Sequence, residues 1–133
     1  MKKVLMLGTG GTIASEMTQS GLTPALTSEQ LVANVPEIST LCEVTCRQLF
    51  SIDSTNITPA HWLTIANAVR ESFDDFDGFV IAHGTDTMAY TASALSYLIQ
   101  NSAKPIVLTG SQKSIYDPET DARRNLFDAF LAA

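Results

Sequence analysis

The chain has 133 residues, 45% hydrophobic and 17% charged, with a formal net charge of −6. That length suits one domain around a single core. Lysine stands only at positions 2, 3, 104 and 113, which excludes the clustered cations of a nucleic-acid binder, and a charged fraction below the usual quarter predicts a surface partly covered by a partner or by further chain.

The first apolar run, Val4–Leu7, follows Met1-Lys2-Lys3. Four residues are too few for a signal-peptide core, and no later run approaches a membrane span, so a cytoplasmic protein with no membrane partner is expected. The run reads as a strand that ends in the turn Gly8-Thr9-Gly10-Gly11-Thr12-Ile13-Ala14. Thr27 and Gln30 then form a capping-box pattern for a short helix. Val44–Phe50 reads as a second strand. Cys42 and Cys46 are placed in the same extended stretch, on one face and too far apart to bond, as buried structural thiols.

Past the loop Asp53-Ser54-Thr55, Thr58 can cap a helix with Pro59 at its first position. Trp62, Ile65, Val69 and Phe73 share one face of that helix, with His61 outward. Asp74-Asp75-Phe76-Asp77 reads as a solvated turn. Phe79–Ala82 is the third strand, followed by His83-Gly84-Thr85-Asp86-Thr87-Met88. A helix over Met88–Gln100 should turn Met88, Ala92, Leu95 and Ile99 inward. Ile106–Thr109 is the fourth strand, and Gly110-Ser111-Gln112 its turn. Asp121 is placed as the cap of a last helix with Leu126, Phe127, Phe130 and Ala133 on its apolar side. No stop signal follows, so residues 1–133 are expected to be one domain cut off in its last helix.

The first, third and fourth runs are continuous, the pattern of strands buried on both faces. Strands alternating with helices predict βαβ units, a mainly parallel sheet and a three-layer α/β sandwich. In such sheets ligands bind beyond the carboxyl ends of the strands. The first turn begins like a dinucleotide fingerprint but has Ile13 in place of the third glycine, and no Gly-Lys-Ser/Thr occurs, so no cofactor is expected. No third ligand accompanies the two cysteines, so no metal is expected either.

A threonine hydroxyl beside glycine N–H groups has another use. It becomes a nucleophile once a base takes its proton, and the N–H groups can hold an oxyanion. Thr12, Thr85 and Asp86 would bring a nucleophile, a second hydroxyl and a carboxylate to one crevice. The same residues can also be plain turn and cap residues. His83 reads as a hydrogen-bonded structural histidine, and Lys113 as solvated.

The runs Gly8–Ala14 and His83–Met88 resemble the two signature motifs of the asparaginase/glutaminase family, and Ile52–Asn56, Asp77–Ile81 and Thr109–Gln112 extend the likeness over the whole chain. The flavour is that of the cytoplasmic, type I branch. The resemblance implies a flavodoxin-like amino-terminal domain of an L-asparaginase that needs no cofactor and works as a homodimer or homotetramer. It further implies that Thr12 attacks the side-chain amide of L-asparagine, that Thr85 is a second catalytic threonine, and that Asp86 binds the α-amino group and joins the proton relay. Asp53, Ser54 and Thr55 would hold the α-carboxylate and amino group, and Gln112 would line the pocket.

Three departures accompany the resemblance. The family's relay lysine would fall beyond residue 133, its common loop tyrosine is Leu22 here, and the carboxyl-terminal domain that completes a neighbour's pocket is not in this sequence. Two other readings stand beside it: an ammonia-supplying subunit of a tRNA-dependent amidotransferase, and an inactive fragment that binds an amino acid.

Overall fold

The computed structural model describes all 133 residues. In chain order the elements are β1 (Lys3–Gly10), β2 (Ser15–Thr18), β3 (Gly21–Pro24), α1 (Ser28–Ala33), β4 (Glu43–Ile52), α2 (Pro59–Ser72), β5 (Gly78–Ala82), α3 (Met88–Leu98), β6 (Ile106–Thr109) and α4 (Ala122–Ala132). Short 3-10 turns occupy Thr12–Ala14, Pro36–Thr40 and Ser54–Asn56.

Side chains alternate along a strand, so a strand buried on both faces must feed two cores. β1 does this: Val4 and Met6 join one cluster, Leu5 and Leu7 the other. β5 divides in the same way, with Val80 and Ala82 on the first side and Phe79 and Ile81 on the second. Leu31 of α1 and Leu126 and Phe130 of α4 cover the first face, and Ile65 and Val69 of α2 and Leu95 of α3 cover the second. The result is the expected three-layer sandwich. Its sheet has the order β4-β1-β5-β6, and every pair is parallel. Counted by main-sheet strands alone this order is 2-1-3-4, the flavodoxin-like winding.

The continuous pattern of Ile106–Thr109 does not mark a strand buried on both faces. β6 is an edge, and Ile106, Val107 and Leu108 are only half-buried. β4, the other edge, alternates exposed and half-buried residues over its first half. Cys42 lies before β4 rather than within it, fully buried, while Cys46 in the strand is half-buried. Burial, with a contribution from Glu29, pushes the Cys46 thiol up to about 11, so it is protonated and unreactive at neutral pH.

On α3 the inward positions are Thr91 and Leu95, and Ala92 is exposed. The helix ends at Leu98, two residues before the expected Gln100, because Ile99 is extended and Asn101 takes a left-handed turn at φ 57°. Asp121 does precede α4, but its carboxylate accepts from the N–H groups of Gln112 and Lys113 instead of capping the helix. Thr120 Oγ1 accepts the first helical N–H, that of Ala122. The hairpin β2–β3 forms a separate two-stranded sheet that the apolar pattern did not reveal, because its residues are largely exposed.

Candidate functional site

Three loops leave the carboxyl ends of β1, β4 and β5 and meet at the point where the winding reverses, between β1 and β5. Their contact requires glycine. A Cβ on Gly11 would stand 2.5 Å from the Gly84 nitrogen, and a Cβ on Gly84 would stand 2.6 Å from Ser54 Cβ. Gly10 and Gly11 have φ of 100° and 84°, a region costly for any side chain. Hydrogen bonds fix the same junctions. Gly11 N–H donates to Ile52 O (3.1 Å). Thr9 Oγ1 donates to Ala82 O (2.6 Å), and Thr87 Oγ1 to Ser54 O (2.8 Å).

Between these loops lies a crevice of about 80 Å³, lined by Thr12, Asp53, Ser54, Thr85 and Asp86 among others. The hairpin contributes Ser15, Leu22 and Pro24 to its outer wall, and Leu22 is the one large apolar side chain there. The hydroxyls of Thr12, Ser54 and Thr85 and the carboxylate of Asp86 bond to no other group of the chain. The neighbouring hydroxyls are engaged: Thr9, Ser15 and Thr87 on backbone carbonyls, Thr91 on a ring nitrogen. Neither Thr85 nor Asp86 caps α3, whose cap position is Thr87 with its hydroxyl turned to Ser54.

Two expected site residues lie elsewhere. Thr55 is exposed, and its Oγ1 and N–H both donate to Asp53 Oδ1 at 3.1 and 3.0 Å, so it serves to hold Asp53. Gln112 is exposed and lines a neighbouring depression with Glu16, Lys113 and Tyr116. The Asp121 carboxylate draws the Gln112 and Lys113 backbone to itself, which sets this turn apart from the crevice. Lys113 Nζ pairs with Glu119 at 3.2 Å. Ser15 and Gly84 also line the crevice and carried no separate signal, since a lone Ser or Gly is common in any turn. No three His, Cys, Asp or Glu side chains gather where they could hold a metal ion.

His83 is completely buried behind the crevice. Its Nδ1 lies 2.6 Å from Gly84 O and its Nε2 2.8 Å from Thr91 Oγ1, which also accepts from Trp62 Nε1 at 2.9 Å. Burial lowers its pKa, only partly offset by the Gly84 carbonyl, so the ring is neutral at physiological pH.

Residues 3–133 match the family model described as asparaginase, N-terminal. The chain is 47% identical over 133 residues to the L-asparaginase of Thermococcus kodakarensis, covering 98% of this chain and 40% of that protein. It is 44% identical over 134 residues to a glutamyl-tRNA(Gln) amidotransferase subunit of Saccharolobus solfataricus, covering 98% of this chain and 30% of that one. The crystal structure of L-asparaginase I from Vibrio cholerae superposes with a TM-score of 0.88 at 39% identity, over 99% of this chain and 41% of that one. The chain thus spans well under half the length of the relatives it matches.

Proposed function

Because the chain belongs to the asparaginase family, with its amino-terminal model matched over residues 3–133, we propose that it carries the nucleophile of an amidohydrolase that converts L-asparagine to L-aspartate and ammonia. The observation that supports this reading is the pair of unengaged hydroxyls, Thr12 and Thr85, beside the Asp86 carboxylate in one crevice backed by satisfied threonines. Thr12 Oγ attacks the side-chain amide carbon and gives up its proton. The C–N bond then breaks, ammonia leaves with that proton, and an ester to Thr12 remains. Water cleaves the ester, returning the hydroxyl and releasing aspartate.

Asp86 is suited to the substrate's α-amino group, and Ser54 with Asp53 to its carboxylate and amino ends. Backbone N–H groups at Gly84 and Thr85, which donate to no acceptor in the chain, can receive the oxyanion. The groups named need no cofactor. The reading includes a cytoplasmic homodimer or homotetramer whose remaining pocket walls come from residues outside this chain.

A second reading has a specific observation behind it, the 44% identity to an amidotransferase subunit. There the same chemistry would release ammonia for transfer to a partner subunit. Asparagine and glutamine differ by one methylene, worth about 1–3 kcal/mol of discrimination, so substrate preference alone separates the two readings only modestly. The test is ammonia release by the purified full chain from each amide, with Thr12→Ala alongside. Turnover of asparagine lost in Thr12→Ala supports the proposal. Release that survives Thr12→Ala overturns it.

A further inference from the structure

Nothing in the amide-hydrolysis scheme uses His83, although it is the one histidine fully out of solvent and both its nitrogens are engaged. The direction of those bonds can be deduced. Gly84 O can only accept, so His83 Nδ1 carries the hydrogen. The ring is neutral, so Nε2 is bare and accepts from Thr91 Oγ1–H. Thr91 is left with a lone pair for Trp62 Nε1–H, which can only donate. A one-way chain therefore runs from Trp62 on α2 through Thr91 on α3 and His83 after β5, and ends on the Gly84 carbonyl.

The peptide bond between Gly84 and Thr85 is trans. In a trans peptide the C=O and the following N–H point in opposite directions. Holding Gly84 O back against the buried imidazole turns the Thr85 N–H outward, and Gly84 and Thr85 both line the crevice. That N–H has no acceptor within the chain.

We propose that the buried relay Trp62–Thr91–His83 is a positioning device that fixes the Gly84–Thr85 peptide plane, and so aims the Thr85 N–H at the oxygen of the substrate's amide carbonyl as it becomes an oxyanion. This rests on the amidohydrolase reading. His83 itself transfers no proton. A donor aimed at charge that exists only in the transition state acts on kcat rather than on substrate binding.

The test is steady-state ammonia release by the full chain carrying Thr91→Val, Thr91→Ser, His83→Leu or His83→Asn, each checked for folding by circular dichroism. Loss of an aimed oxyanion donor is worth roughly 10²–10³ in kcat when complete. His83→Leu should approach a loss of about 100-fold, and Thr91→Val about 10-fold, with KM for asparagine nearly unchanged. Thr91→Ser keeps the hydroxyl, and His83→Asn keeps an N–H in the Nδ1 position, so both should retain most of the rate. Nitrogen NMR of the ring should show hydrogen on Nδ1 of a neutral imidazole at neutral pH, and a shifted Thr85 amide in Thr91→Val.

Folded Thr91→Val and His83→Leu with wild-type kcat would overturn this inference alone. So would His83→Asn as slow as His83→Leu, or hydrogen found on Nε2. A wild-type chain that releases no ammonia from either amide even when supplied with the remaining pocket walls overturns the amidohydrolase reading, and the inference with it.

Discussion

The threonines of the two signature loops and the helix α3 that follows the second divide into a front and a back. Thr12 and Thr85 face the crevice with free hydroxyls, while Thr9, Thr87 and Thr91 behind them are each tied to a backbone carbonyl or a ring nitrogen. The residue type is the same and the front and back positions are close along the chain, so the difference comes from where the turn points each side chain. A satisfied hydroxyl holds the fold together. A hydroxyl left free in a crevice built from rigid neighbours is available for chemistry.

Substitutions at the front should remove activity and spare stability. Thr12→Ala should lower ammonia release by about 10³-fold or more, with a melting temperature close to that of the wild type, since no bond within the chain is lost. Asp86→Asn keeps the shape and removes the charge, and should cost on the order of 10²–10³ in kcat/KM for asparagine. A melting temperature lowered markedly in either variant would break the distinction.

Substitutions at the junction should affect both. Gly84→Ala places a Cβ 2.6 Å from Ser54 Cβ, so the second and third loops must separate. Calorimetry should show a loss of about 1–3 kcal/mol, and the assay a raised KM. Thr87→Val removes the bond to Ser54 O, which keeps only the Ile57 N–H at 3.1 Å, for about 0.5–1.5 kcal/mol of stability and a smaller rise in KM.

The smallest effect belongs to the turn set apart from the crevice. Burial would raise the Asp121 carboxyl, but the N–H groups of Gln112 and Lys113, its own N–H and the Asn125 side chain outweigh it and hold it below the usual value. A carboxyl lowered on folding stabilises above its unfolded pKa, and the contribution fades as pH falls below about 4. Asp121→Asn should therefore lower the melting temperature slightly at pH 7, and the gap from wild type should close in acid, with ammonia release little changed at neutral pH.

The layers and much of the lining of the candidate site were legible in the sequence, for different reasons. Val4–Leu7 and Phe79–Ala82 announce central strands because burial on both faces leaves no polar positions. Ile106–Thr109 shows the same pattern at an edge, since half-burial selects the same residue types when helices cover both faces. The hairpin Ser15–Pro24 packs too little apolar surface to leave a period. Thr12, Thr85 and Asp86 come together because each follows a strand of one parallel sheet. Gln112 also follows a strand, and its separation depends on the Asp121 carboxylate nine residues away in sequence, a contact that no local pattern encodes.

The stacking of Gly11 on Gly84 and of Gly84 on Ser54 has a consequence for variation. These three positions are mutually dependent: a side chain accepted at one demands a backbone shift that the others must follow. A library that randomises the loops one at a time would find almost nothing tolerated at Gly84, whereas one that varies positions 11, 54 and 84 together would sample compensated triplets. The crevice is in that sense inherited as a unit, and its chemistry can drift only as far as all three loops move together.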